Sequence, residues 1–124
     1  MKLIIAGSRS LDITNEELQE LIFNHFEFPD EIVCGEAKGI DLCGRIWAET
    51  YSPDWSDDII AIPVISFPAN WDKYGRAAGY VRNEEMAKYA DQLLAIWDGK
   101  SNGTRHMIKL MIDYKKPFHV ELLT

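Results

Sequence analysis

The sequence has only two cysteines, Cys34 and Cys43, and they do not form a C-x-x-C pair. Closely spaced cysteines are the usual sign of structural zinc or of a redox couple. We therefore expect two reduced cysteines that pack within the fold, with no metal site and no cofactor.

Cations are also scarce, since 13 Lys and Arg stand against 20 Asp and Glu, for a formal net charge of −7. Nucleic-acid affinity comes largely from cations that neutralise phosphates, so a nucleic-acid partner is not expected.

Long apolar runs, low-complexity tracts and repeats are absent as well. The amino-terminal run MKLIIAG turns to glycine too early for a signal-peptide core, and no run approaches the length of a membrane span. The sequence therefore predicts a cytoplasmic protein without a membrane partner. Its 47% hydrophobic and 27% charged residues are typical of globular proteins. A single domain over residues 1–124 would bury about two-thirds of the surface of the unfolded chain, without needing a disulfide or a metal.

What the sequence does contain is a regular alternation of two patterns. Short apolar runs rich in β-branched residues predict five strands, at residues 2–6, 31–34, 64–67, 92–97 and 118–122. Helical patterns follow the first four strands, the third of them running from residue 77 or 79 to residue 90 and the fourth from 104 to about 114. This alternation predicts a Rossmann-like three-layer α/β fold, in which a five-stranded parallel sheet has helices on both faces. Residues 52–58 read as an exposed connection, and residues 59–62 have no clear assignment.

Helix starts and faces follow from caps and spacing. Thr14 and Glu17 form a capping box at the start of the first helix, whose inner face would include His25. Asp41 would cap the second helix, with Leu42, Ile46 and Trp47 inward. Structural roles are expected for His25 and His119. His106, early in the last helix, is expected to face solvent, although it could exchange protons near the presumed site.

Four loops leave the carboxyl ends of the predicted strands, and all four are rich in glycine and small polar residues. They are GSRS (7–10), GEAKGID (35–41), FPANWDKYGRAAG (67–79) and DGKSNGT (98–104). Ligands of open parallel sheets bind at this edge, where the strand order reverses. The residues that we expect to bind a ligand there are Gly7, Ser8, Arg9, Gly35, Glu36, Lys38, Gly39, Asp41, Asn70, Trp71, Arg82, Asn83, Ser101, Gly103 and Thr104.

These residue types fit an anionic, nucleotide-like ligand. Arginine forks suit phosphate, and glycines at helix starts let backbone N–H groups approach it. We expect Arg9 and Arg82 to pair with the ligand's charge, with Lys38 as a further cation. Asp41 either caps its helix or accepts a hydrogen bond from a sugar, and Trp71 either stacks on a base or anchors its loop. Neither a G-x-G-x-x-G fingerprint nor a P-loop is present, and no nucleophilic triad is evident.

The same motifs carry a family resemblance. GSR at 7–9, GEAKGID at 35–41, FPANWDKYGRAAGYVRN at 67–83 and Gly103-Thr104 occur in the order typical of the SLOG superfamily of Rossmann-like nucleotide-binding domains. The chain resembles most closely the branch of small proteins related to YspA and YpsA, over residues 2–120. This resemblance implies a nucleotide-binding site at the four loops, and it implies a homo-oligomer, since the superfamily commonly forms dimers.

A more distant resemblance connects the chain to the LOG phosphoribohydrolases, which use an R-K-x-x-M arginine and a P-G-G-x-G-T-x-x-E glutamate. Arg82, Asn83 and Met86 are similar to the first segment, but Met107 stands where the glutamate would be. A methionine can neither activate water nor stabilise an oxocarbenium ion. We therefore expect a nucleotide sensor or sequestering module. The alternatives are a hydrolase that uses Arg82 with Glu36, Glu84 or Glu85, and a protein-interaction module.

Overall fold

Five parallel strands form one sheet, as predicted. The computed structural model describes residues 1–123, and its strands are β1 (Lys2–Gly7), β2 (Glu31–Gly35), β3 (Val64–Phe67), β4 (Gln92–Trp97) and β5 (Phe118–Leu122). They are arranged in the order β3-β2-β1-β4-β5, and every neighbouring pair is parallel. The chain therefore builds outward from β1 in one direction and then, from β4, in the other. The place where the order reverses lies between β1 and β4.

Helices cover both faces of the sheet, which confirms the Rossmann-like three-layer architecture. They are α1 (Asn15–His25), α2 (Ile40–Glu49), α3 (Trp71–Tyr74), α4 (Ala78–Tyr89) and α5 (Asn102–Asp113), with a single 3₁₀ turn at Gly75–Ala77. Thr14 caps α1 as predicted, because its Oγ1 accepts from the Glu17 backbone N–H at 3.1 Å. The short α3 was not predicted. None of the helices within residues 1–123 has the length and apolar character needed to cross a membrane.

The two faces of the sheet bury separate apolar clusters. Along β1, Leu3 and Ile5 pack on the α1 and α2 side, while Ile4 and Ala6 pack on the α4 and α5 side. Complete burial of an Ile or Leu side chain stabilises the fold by about 1.5–3 kcal/mol. The central strands β1 and β4, buried on both faces, are thus a rigid base for the loops at their carboxyl ends.

Helix α2 differs from the prediction in its start and its orientation. It begins at Ile40, after the cap residue Gly39, so Asp41 lies in its first turn and is not its cap. Leu42 and Ile46 are 50% and 43% exposed, against our expectation of an inner face. The buried side is formed by Ile40, Asp41, Gly44, Trp47 and Ala48. Glycine carries no hydrophobic signal, yet a Cβ at position 44 would lie 2.8 Å from Ile5, so this bare position is what lets α2 approach β1.

Other differences concern the connections and one histidine. Residues 50–63 contain neither helix nor strand, and Trp55 is 80% exposed there, as an exposed connection predicts. Ile62, in the unassigned tail of that segment, is buried and donates its backbone N–H to the Ala48 carbonyl at 2.9 Å. His25 does not face the core as expected; it is exposed at the end of α1.

Candidate functional site

A cleft of about 380 Å³ opens at the carboxyl edge of the sheet, where the strand order reverses. This volume is in the range of small-molecule sites. Its wall contains nine of the residues predicted for the site, namely Gly7, Ser8, Arg9, Asp41, Arg82, Asn83, Ser101, Gly103 and Thr104. The structure thus brings three of the four predicted loops and the start of α4 together around one space.

Arg82 is oriented toward the cleft by its neighbours. Its Nε donates to the Asn83 side-chain oxygen at 3.1 Å, and its Nη1 approaches the Phe67 carbonyl oxygen at 3.5 Å. Within residues 1–123, Nη2 has no hydrogen-bond partner. Gly35 makes this position available, because a Cβ there would lie 2.3 Å from Arg82 Nη1 and 2.8 Å from a carboxylate oxygen of Asp41. Gly35 therefore serves the site by leaving space for Arg82.

Asn83 connects α4 with the start of α5. Its side-chain nitrogen donates to the Gly103 carbonyl at 3.3 Å and lies 3.2 Å from His106 Nδ1. His106 is partly buried and packs against the Tyr80 ring at 82° between planes, so the expectation of a solvent-facing histidine is wrong. Burial lowers the pKa of His106, which favours the neutral ring that accepts from Asn83. The three side chains Arg82, Asn83 and His106 form a continuous chain of contacts.

The start of α5 presents backbone N–H groups to the cleft. The helix begins at Asn102 after the cap residue Ser101, two residues before the predicted start at residue 104. No side chain caps this end, and the first helical hydrogen bond is donated by Arg105 to the Ser101 carbonyl. The N–H groups of residues 102–104 precede that bond, and such groups at a helix start favour an anion.

Asp98 shapes the turn that leads into α5, and sequence reasoning missed it. Its Oδ1 accepts the backbone N–H groups of Lys100 and Ser101, each at 2.8 Å, which lowers the pKa of this carboxyl. Its own N–H donates to Ser8 Oγ at 3.1 Å. The Ser8 backbone N–H in turn donates to the Ile96 carbonyl at 3.1 Å. Ser8 therefore joins the loops after β1 and β4, while Arg9 beside it makes no ion pair within residues 1–123 and is exposed.

Asp41 is a buried acid in the wall of the cleft. It is 5% exposed, and burial raises the pKa of its carboxyl to about 6. The positive charge of Arg82 and backbone hydrogen bonding with Ala37 and Gly7 oppose this rise without cancelling it. Asp41 can therefore hold or release a proton near neutral pH. This property comes from the orientation of α2, which the sequence did not predict.

A smaller cavity of about 240 Å³ adjoins the cleft and shares Arg9, Ala37 and Arg82 with it. Glu36 and Trp71 line this second cavity together with Pro68 and Ala69. Trp71 is 53% exposed, so it is accessible for stacking. The predicted residues Glu36 and Trp71 thus belong to a side chamber and not to the main cleft.

Four predicted residues lie outside both cavities, namely Gly35, described above, and Lys38, Asn70 and Gly39. Lys38 is exposed and lines neither of them. Asn70 caps α3, since its side-chain oxygen accepts from the Lys73 N–H at 3.1 Å. Gly39 has φ +73°, and a Cβ there would lie 2.5 Å from the Ser8 carbonyl oxygen, so this glycine packs two loops together. The second loop therefore contributes Ala37 and Asp41 to the cleft, with its glycines serving as spacers.

The floor of the cleft is apolar, and none of its residues was among those predicted for the site. It includes Ala6 from β1, Met86 from α4 and Met107 from α5. Met86 lies one helical turn after Arg82 and Asn83, a spacing that could have indicated it. Met107 is 1% exposed, so the position where the LOG resemblance would place a glutamate holds a buried thioether.

No protein-family model matches this chain, and neither a curated protein nor a solved structure is significantly similar to it. The SLOG resemblance stays a prediction. What the cleft can do chemically therefore follows from its own groups. Two arginines and the free N–H groups of α5 favour an anion, while Asp41 offers an acceptor or an exchangeable proton.

Proposed function

We propose that the chain binds a nucleotide or nucleotide-derived small molecule at the carboxyl edge of the sheet, as a sensor or sequestering module. The observation that carries the proposal is the convergence of Arg82, Arg9 and the uncapped start of α5 on one cleft. Each group binds an anion by a different route, the arginines by charged forks and the helix by aligned N–H groups. A phosphate suits all three at once.

The two adjoining cavities suggest how a nucleotide would lie. We place the phosphate in the main cleft, against the N–H groups of residues 102–104 and the free Nη2 of Arg82. A base that extends past Arg82 would enter the side chamber and stack on Trp71. Asp41 would then accept a hydrogen bond from a sugar hydroxyl between them. The apolar floor at Met86 and Met107 contributes contact area without competing for the charge.

Isothermal titration calorimetry tests this proposal with nucleoside monophosphates, cyclic nucleotides and ADP-ribose derivatives. We expect at least one of them to bind, and Arg82→Ala to weaken that binding tenfold or more, because a charge-assisted pair is lost. Arg45→Ala is the matched control, since Arg45 pairs with Glu49 on the outside of α2. Absence of binding at millimolar concentration across the panel would overturn the proposal. Equal affinities of the two variants would exclude this cleft as the site.

Asp41 favours one second candidate function, hydrolysis of a nucleotide N-glycosidic bond. The sequence offered Glu36, Glu84 and Glu85 as the carboxylate, but Glu84 accepts from the Tyr114 hydroxyl at 3.1 Å, away from the cleft. Asp41 lies in the cleft with its pKa near 6, which suits a general acid or base. Release of free base from AMP, GMP, CMP and UMP, followed by chromatography, tests this. Activity that survives both Asp41→Asn and Arg82→Ala would rule out this assignment.

The remaining expectations from the sequence belong to the same proposal. They are membership of the SLOG superfamily, a cytoplasmic location, a homo-oligomeric state and the lack of a nucleic-acid partner. Light scattering coupled to size-exclusion chromatography measures the oligomeric state directly. A protein-interaction module remains the alternative if no small molecule binds.

A further inference from the structure

A second group of chemically active side chains lies outside the cleft and its side chamber. His25 ends α1, and His119 and Glu121 are two residues apart on the edge strand β5. In the sheet register, His119 pairs with Leu94 and Glu121 with Ile96, and both partners face the α1 and α2 layer. The β5 pair therefore points toward the side of the sheet on which α1 ends. Neither cavity of the proposed nucleotide site is lined by any of the three.

The three side chains are close enough to share one ion. His119 Nε2 and Glu121 Oε1 are 3.1 Å apart. The His25 ring stacks on the His119 ring, with 3.6 Å between centroids and 14° between planes. One ligand atom from each residue can be chosen so that all three lie within 4.8 Å of one another. Tetrahedral zinc with bonds of about 2.0–2.1 Å places its ligand atoms roughly 3.3 Å apart. The His119–Glu121 pair already has that separation, and His25 needs to move inward by only about 1–2 Å.

The surroundings allow that movement. His25 is exposed at the end of its helix, and the side chains of His119 and Glu121 are 30% and 36% exposed. The lone pair of an imidazole nitrogen lies in the plane of its ring, so two stacked, parallel rings do not point at one common ion. At least one of the two rings must tilt before both can bind the same ion. The exposure of His25 leaves its ring room to turn.

We propose that His25, His119 and Glu121 bind a late first-row divalent cation, with Zn²⁺ as the first choice. The two imidazole nitrogens suit Zn²⁺, Co²⁺ and Ni²⁺, whereas Mg²⁺ and Ca²⁺ prefer oxygen ligands and would find a single carboxylate. Three protein ligands leave a fourth position for water or for a group from another molecule. The site joins α1 to β5 across 94 positions of sequence, which is why the spacing of these residues gave no metal signal.

Calorimetric titration of the metal-free, untagged chain with ZnCl₂ tests the site. We expect one ion per chain, and we expect His119→Ala and His25→Ala each to weaken zinc binding at least tenfold. Glu121→Gln should do the same, since it removes the anionic ligand and retains the shape. Glu27→Gln removes a charge near the same helix end, and His106→Ala removes the remaining histidine; both should retain the zinc affinity of the original chain. Circular dichroism confirms that every variant is folded.

A measurement on the unaltered chain makes the test independent of the variants. Addition of Zn²⁺, which is diamagnetic, should shift the imidazole NMR signals of His25 and His119, while those of His106 stay in place. If zinc binds equally well after His25 and His119 are both replaced, it binds elsewhere, with the cysteines as the obvious sites. That outcome, or the absence of binding at millimolar zinc, would overturn the proposal.

Discussion

The charge on Asp41 should destabilise the fold at neutral pH, and Asp41→Asn measures by how much. The carboxyl has a pKa of about 6 in the folded chain against an ordinary value of 3.8, and burial is the main cause. A difference of about two pKa units corresponds to roughly 3 kcal/mol at 1.36 kcal/mol per unit. Asparagine has nearly the same shape and no charge to bury. Asp41→Asn therefore removes the free-energy cost of burying an ionised carboxylate, which is the part that depends on pH.

The direction of the effect follows from proton linkage. The folded chain holds the Asp41 proton more tightly than the unfolded chain does, so stability is lost as the pH rises. The bound Asp41 proton adds its full contribution to the free energy of unfolding below pH 4. This contribution declines between pH 4 and pH 6 and is absent above that window. Asp41→Asn should become more stable relative to the original chain by about 3 kcal/mol between pH 4 and pH 7. Its stability at pH 4 alone is not decisive, because the amide changes the local hydrogen bonds.

Urea unfolding followed by circular dichroism at pH 4, 5, 6 and 7 gives the required difference curve. Asp57→Asn is the matched control, because Asp57 lies in the exposed connection between α2 and β3. It measures how much of the change belongs to the loss of one negative charge from a chain with net charge −7. A difference between Asp41→Asn and the original chain that stays constant over this pH range, or falls as the pH rises, would refute the reasoning.

Three further predictions concern packing. Gly39→Ala should lower the free energy of unfolding by about 2 kcal/mol or more, because φ is +73° and the new Cβ would meet a carbonyl oxygen. Gly103→Ala has open space around the new Cβ and should stabilise α5 by up to about 1 kcal/mol. Urea unfolding that ranks the two variants in the opposite order contradicts this. Lys116→Met should cost about 2 kcal/mol in the same assay, because the Lys116 Nζ donates to three carbonyls at the end of α4 at 2.7–3.0 Å. Burial raises the pKa of the Cys34 thiol, so a thiol reagent should modify Cys43 quickly and Cys34 only as the chain unfolds; two thiols of equal rate would count against the packing of β2.

The strands and the convergence of the loops were predictable because both depend on local sequence. A buried parallel strand needs a short run of apolar residues, and such runs are evident at KLIIA and QLLAIW. Once the strands are parallel, their following loops must meet at one edge, which brought Arg9, Arg82 and Gly103 to the same cleft. The sheet order then placed that cleft between β1 and β4.

What sequence reasoning missed depends on contacts between distant segments or on residues without a hydrophobic signal. The orientation of α2 depends on Gly44, which has no side chain and therefore adds nothing to a hydrophobic pattern. The burial of Asp41 is a consequence of that orientation. His25 and His119 stack only because α1 ends beside β5. Asp98 shapes its loop through backbone contacts that many aspartates at strand ends could make.

The position of the cleft also makes it a joint between the two halves of the chain. One side is built by Gly7, Arg9 and Asp41 from residues 1–67, and the other by Arg82 and Thr104 from the remainder. A ligand held there would act as a removable cross-link between segments that are far apart in sequence. At a hundred times its dissociation constant it would add about 2.7 kcal/mol to the free energy of unfolding. Thermal melting of the unaltered chain can therefore be used to search for the ligand before any reaction is known.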